Sequence, residues 1–164
     1  MYFRKSINRS TAAINRAKRI NQAKPINRSY AALAPTKDMS FETFSYRKLD
    51  AYQKAKDFVL FIYHLLKQFP KEEQYALCDQ LRRAAVSIPS NIAEGMGRVS
   101  VKEQIHFIEI AYGSLNETMC QLEIAYELNY ISQEELKRSE EFVKFLTIKL
   151  SGLRKVRIDR LATS

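Results

Sequence analysis

Between Tyr46 and Val156, apolar residues return every three or four positions in four separate runs. That period places the apolar side chains of each run on one face of an α-helix. The first run is Leu49, Tyr52, Ala55, Val59, Ile62, Leu65/Leu66 and Phe69. Pro70 ends it and suits the first turn of a second helix, and Glu72 and Glu73 lie near that helix's positive end. The second run turns Tyr75, Cys78, Leu81, Ala85, Ile88 and Ile92 inward until Gly95 and Gly97 break it. Ser100 and Glu103 have capping-box spacing and open a third helix over 101–129, with Ile105, Ile108, Ala111, Leu115, Met119, Leu122 and Tyr126 on one stripe. Asn129 ends it. Ser132 and Glu135 repeat the box, and a fourth helix carries Leu136, Val143, Leu146, Leu150 and Leu153 inward to Val156. Four long helices on short links predict an all-α fold, an antiparallel up-down-up-down four-helix bundle. It would occupy residues 46–158, with a short tail over 159–164.

A length of 164 residues suits one such domain. Four glycines and four prolines are too few for a turn-rich all-β fold. The longest apolar run, FVLFIY (58–63), is far short of a membrane span, so no membrane partner and a cytoplasmic location are expected. Cys78 and Cys120 show no CxxC or zinc spacing and read as reduced core residues.

Charge is uneven along the chain. Residues 1–38 hold nine Lys/Arg against one acid, Asp38, whereas residues 39–164 hold 18 against 17. The basic segment repeats INRS (7–10), INRA (14–17), INQA (20–23) and INRS (26–29), units too short for a solenoid. Its scattered apolar residues cannot offset the entropy of ordering. The expectation is a flexible, disordered basic leader over residues 1–45, or upstream sequence read from a misplaced start, with Met39 the natural true start. It reads either as an RNA-binding arm or as a leader without a role. Its Arg-rich composition also resembles a transit peptide, with no second signal for an organelle.

The stretch RAAVSIPSNIAEGMGR (83–98) decides whether catalysis is in prospect. Two glycines with no strand before them do not make a phosphate-cradling loop. Ser87 and Ser90 lack a base, since neither His64 nor His106 is tied to them by a motif. Glu103 and His106 match one Glu-x-x-His half of a diiron set, but the second half is missing. Ser87, Pro89, Asn91, Glu94 and Gly95 therefore read as a structural motif: a proline-kinked helix, a polar cluster of Asn91 and Glu94 at a helix junction, and a terminus. No catalytic residue, metal, cofactor or small-molecule substrate is expected. The remaining chemical signal is cationic. Arg82, Arg83, Arg98, Lys102, Arg154, Lys155, Arg157 and Arg160 are candidates for gripping phosphates without reading bases. Lys149 belongs to the same C-terminal cluster.

RRAAVSIPSNIAEG (82–95) and GSLNETMCQLEIA (113–125) are the most specific parts of a wider match over residues 46–153. That stretch resembles the four-helix bundle proteins encoded in bacterial 23S ribosomal RNA intervening sequences. The resemblance implies an up-down four-helix bundle and a ring-like homopentamer. A related bundle family, the accessory variability determinant of diversity-generating retroelements, forms a pentamer that binds nucleic acid and a reverse transcriptase. Analogy with it implies a scaffold or RNA-binding role. Residues 1–45 depart from the family pattern.

An apolar excess points independently to self-association. Phe58, Leu60, Phe61 and Tyr63 make the first helix apolar almost all round, as Phe107, Ile110 and Tyr112 do for the third and Phe142, Phe145 and Ile148 for the fourth. A helix apolar all round needs cover on both sides. A closed homo-oligomer is expected, with Phe58, Phe61, Phe107 and Phe145 as candidate interface residues. The functional expectation is a non-enzymatic oligomeric scaffold binding RNA, or an RNA-associated protein, non-specifically. The alternative, suggested by the near-neutral body, is a protein–protein interaction module with no nucleic-acid role.

Overall fold

The computed structural model describes residues 44–163. The leader expected over residues 1–45 lies outside that range except for Phe44 and Ser45. The described residues form four α-helices and no strand: α1 (Asp50–Leu65), α2 (Leu77–Gly97), α3 (Val101–Glu127) and α4 (Gln133–Ala162). Short 3-10 turns at Ser45–Lys48 and Lys71–Tyr75 precede α1 and α2. Each helix packs on two others: α1 on α2 and α4, and α3 on α2 and α4. Lys149 reaches Asp50 at 2.7 Å and Gln68 reaches Glu135 at 3.0 Å, so the start of α1 meets late α4 and its end meets early α4.

One apolar core runs through all four helices. Ala55, Phe58, Ile62, Leu81, Ile88, Ile92, Ile108, Leu115, Leu122, Leu146 and Leu150 are buried there. Phe58 stacks on Phe142 with centroids 5.1 Å apart. The interior side of the all-apolar FVLFIY run is therefore Phe58 and Ile62, while Val59 packs at the core's edge and Leu60 points outward. Tyr75, expected inward, is 92% exposed because it closes a 3-10 turn rather than lying on α2.

The helix ends differ from the sequence reading for identifiable reasons. α1 stops at Leu65, four residues before Phe69, where Lys67 and Gln68 tighten into bonds with the carbonyls of His64 and Leu65. The residue before a proline also avoids helical backbone. Pro70 does not open α2, which waits until Leu77. The Glu73 carboxylate accepts from the Leu77 amide at 3.2 Å, standing in for a cap. Gly95 and Gly97 fall inside the last turn of α2. α4 continues to Ala162, through most of the residues expected to form a tail.

The two expected capping boxes part company. Ser132 accepts from the Glu135 amide at 3.2 Å, and Glu135 accepts from the Ser132 amide at 2.8 Å, completing the box. At Ser100 no side-chain cap forms. Gln104 instead donates its side-chain amide to the Arg98 carbonyl at 2.7 Å. α3 ends as expected near Asn129, whose φ of 59° is left-handed. Asn129 and Tyr130 donate to the carbonyls of Tyr126 and Ala125, a Schellman closure.

Pro89 sits buried inside α2, and the helix runs on past it. Ser90 donates to the Val86 carbonyl at 2.8 Å, and the Asn91 amide donates to the Ser87 carbonyl at 2.7 Å and hydroxyl at 2.8 Å. The Ser87 and Ser114 hydroxyls meet at 2.8 Å, joining α2 to α3. Each serine has one proton, so a consistent chain runs from Asn91 to Ser87, from Ser87 to Ser114, and from Ser114 to the Ile110 carbonyl. The expected polar cluster thus contains Asn91 but not Glu94, which turns outward to pair with Arg98.

Two predictions follow from packing and capping. A Cβ at Gly95 would lie 2.9 Å from the Phe107 Cβ, close to the backbone, whereas one at Gly113 meets nothing within 4 Å. Gly95→Ala should destabilise by about 1–3 kcal/mol, and Gly113→Ala should stabilise by about 0.5–1 kcal/mol. Urea unfolding of both variants checks this, and equal shifts of one sign would refute the close approach. The second prediction concerns acid. Burial alone would raise the Glu135 carboxyl, but hydrogen bonds from the Ser132 backbone and hydroxyl and from Gln68 outweigh it and hold the group below its ordinary value. Its ionised form therefore stabilises the fold above the unfolded carboxylate range, and that contribution disappears as pH falls through the lowered folded value. Glu135→Ala should lower Tm by about 2–4 °C at neutral pH, the loss of a ~1 kcal/mol cap. Melts at acid pH should show the gap narrowing.

Candidate nucleic-acid interface

The eight cationic candidates do not share one face. Arg82 and Arg83 lie near the start of α2, where Arg82 donates to the Gln74 carbonyl at 3.3 Å and Arg83 pairs with Asp79. Arg98 follows the other end of α2, about 22 Å away along the helix at 1.5 Å per residue. Arg82 and Arg83 are therefore separate from the remaining six.

Of the remaining six, contacts tie Arg98, Arg154 and Arg157 together where late α4 passes the turn between α2 and α3, while Lys102, Lys155 and Arg160 lie on the adjoining turns of α3 and α4. Arg157 Nε donates to the Gln104 side-chain oxygen at 2.6 Å, and its Nη2 contacts the Met96 sulfur at 3.4 Å. Gln104 in turn holds the Arg98 carbonyl. One glutamine thus ties α4 to the α2–α3 turn. Arg98 pairs with Glu94 and lies over the Phe107 ring at 4.8 Å. Arg154 pairs with Glu109 at 2.7 Å. Lys102 and Lys155 are exposed, with no ion pair among the described residues. Arg160 stands close enough that, after burial, its charge is the second cause lowering the Arg157 pKa.

These contacts set what the surface can do. Glu94 and Glu109 are matched by Arg98 and Arg154, and Glu103 and Asp159 are the other acids on these turns. Six cations against four acids leave a modest positive excess able to hold an anion. Neither Gln104 nor Met96 stands out in the sequence, since each acts through a partner 53 or 61 positions away.

The candidate interface phenylalanines are distributed unevenly. Phe58 is fully buried in the chain's own core and cannot line a surface contact. Phe61, Phe107 and Phe145 are half-buried. Arg138 lies 5.1 Å over Phe61, and Lys149 lies 5.3 Å over Phe145. The fully outward apolar residues of this side are instead Leu60, 68% exposed, and Ile148, 70% exposed. An open groove of about 640 Å³ between α1 and α4 is lined by Lys54, Phe61, His64, Glu135, Arg138 and Phe142, among others.

Cys78 is buried as expected, and burial raises its thiol pKa most. Cys120 is exposed, contrary to expectation, because it faces away from the stripe of Leu115, Thr118 and Leu122. Glu103 and His106 are both exposed. Among the described residues no group of three or more His, Cys, Asp or Glu could hold a metal ion, and no helix is long and apolar enough to cross a membrane.

Comparison with known proteins adds a family to this geometry. Residues 47–152 match the family model described as 23S rRNA-intervening sequence protein. Among solved structures, the chain is similar to a protein of unknown function from the S23 ribosomal protein family of Bacteroides thetaiotaomicron. The two share 25% identity and a TM-score of 0.60, over 64% of this chain and 95% of that one. No curated protein matches.

Proposed function

The chain belongs to the 23S rRNA-intervening sequence protein family, and from that premise we propose a non-enzymatic helical scaffold. It assembles with copies of itself and holds RNA through backbone phosphates. The observation that carries the RNA reading is the joining of Arg98, Arg154 and Arg157 where α4 passes the α2–α3 turn, with Lys102, Lys155 and Arg160 on the adjoining helix turns. Cations of this kind neutralise phosphates without reading sequence, so the binding is non-specific. The self-association reading rests on Leu60 and Ile148, exposed at 68% and 70% beside the half-covered Phe61 and Phe145. Several exposed apolar side chains along the α1–α4 pair suit interfaces. The same residues also suit a module that binds only proteins, and RNA binding separates the two readings.

For RNA, the expected outcome is a salt-dependent affinity of the full chain for a short mixed-sequence single strand. Lys102→Gln and Lys155→Gln should each weaken binding and reduce the slope of log K against log salt by about 0.7. An affinity indifferent to salt and to both substitutions would leave the protein-only module. For assembly, light scattering should return a multiple of 19.1 kDa. Leu60→Asp with Ile148→Asp should lower that mass while helical circular dichroism stays. A wild-type mass near 19.1 kDa would remove self-association from the proposal.

A further inference from the structure

Arg157 differs from the other cations of this end. Arg98 and Arg154 each face a carboxylate, and Lys102 and Lys155 are solvated points of charge. Arg157 is half-buried, and its partners among the described residues are neutral: the Gln104 oxygen and the Met96 sulfur. A guanidinium has five N–H donors in a fixed fork, and two are used here. The other three have no acceptor among the described residues.

A partly desolvated cation with no counter-charge is costly unless an anion completes it. Burial, followed by the charge of Arg160, already lowers the Arg157 pKa. Gln104 fixes the fork's direction by accepting at Nε while its own amide is held by the Arg98 carbonyl. That is pre-organisation, which reduces the ordering cost of binding. A planar fork with free donors suits two oxygens of one phosphate group.

We propose that Arg157, oriented by Gln104, is a discrete seat for one backbone phosphate of a polynucleotide, flanked by Arg98 and Arg160. It deepens the RNA reading above and depends on it for the source of the phosphate. Gln104 is a positioning residue, since it acts through Arg157.

The test uses the full chain and two probes. In the first, inorganic phosphate is titrated at constant ionic strength while the Arg157 Nε–H resonance is followed by NMR. A saturable shift is expected for Arg157, and a linear drift or none would overturn the seat. In the second, affinity for a short RNA is compared between wild type, Arg157→Lys, Gln104→Leu and Lys102→Gln. Arg157→Lys keeps the charge but removes the fork, so it should lose about tenfold or more, the loss of one charge-assisted contact. Gln104→Leu leaves Arg157 in place but unheld and should lose less than Arg157→Lys, with the Nε–H resonance moved in the absence of phosphate. Full affinity in Arg157→Lys would overturn the proposal. A saturable phosphate shift with RNA affinity unchanged in Arg157→Lys would assign the seat to a free phosphate group and overturn the backbone assignment. If wild type binds no RNA, the RNA reading fails and the backbone assignment fails with it, while the titration still decides whether Arg157 holds phosphate. Should Arg157→Lys melt early, Gln104→Leu and the titration carry the decision.

Discussion

The close approach of α2 to α3 is the constraint on which the rest of this fold depends. Ser87, Asn91 and Gly95 are spaced four apart, so they form one small, polar stripe along α2. At one point of the stripe the Ser87 and Ser114 hydroxyls meet at 2.8 Å. At another, Gly95 leaves no room for a Cβ beside Phe107. A second stripe on the same helix, Ala85, Ile88 and Ile92, enters the common core. α2 is thus packed along two stripes, one small, polar and partly covered, one apolar and buried. Pro89 lies within this region with its ring buried. The side chains of Ser90 and Asn91 donate to carbonyls of the preceding turn, where the proline contributes no amide of its own.

That contact also positions the cationic end. With Gly95 against Phe107, the turn that follows is short and carries Arg98 back over the Phe107 ring. Gln104 then lies within reach of both the Arg98 carbonyl and the Arg157 fork. A bulkier residue at position 95 would push α3 outward, and the bridge from α4 to the α2–α3 turn would lengthen with it. The stability of the α2–α3 pair and the geometry of the basic surface are therefore two consequences of one missing side chain.

Much of this was legible in the sequence, and the exceptions share a cause. Four helices, the Ser132–Glu135 box and the Asn129 terminus follow from local rules, because the partners lie within a turn or two of each other. Orientation was legible wherever one face was clearly apolar, as in α2. It failed at FVLFIY, where every side is apolar and periodicity cannot choose between Phe58 and Leu60. It failed at Tyr75 because a 3-10 turn changes the angular step that the helical reading assumes. The Ser100 box has the right spacing, yet no side-chain cap forms there. The role of Gln104 itself was not legible at all, since its decisive partner is on α4. A basic end could be guessed from composition, but the separation of Arg82 and Arg83 from it required the helix length.

Near-neutrality of the folded part says little about binding, because the charges are sorted rather than mixed. Residues 117–141, late α3 and early α4 with their link, hold seven acids and two cations. Residues 142–160, the remainder of α4, hold six cations and one acid, Asp159. A sum close to zero therefore conceals a basic stretch and an acidic one. At an ionic strength near 0.15 M, charges further apart than about 8 Å are largely screened from each other. A phosphate approaching late α4 accordingly meets the local excess of cations and is little affected by the acids near the α3–α4 link. The same sorting works against binding elsewhere on the bundle: a polyanion laid across early α4 would meet Glu134, Glu135, Glu140 and Glu141 with only Lys137 and Arg138 to offset them. The local excess of cations thus lies along late α4, and the exposed apolar residues Leu60 and Tyr63 lie in the half of α1 that runs toward early α4.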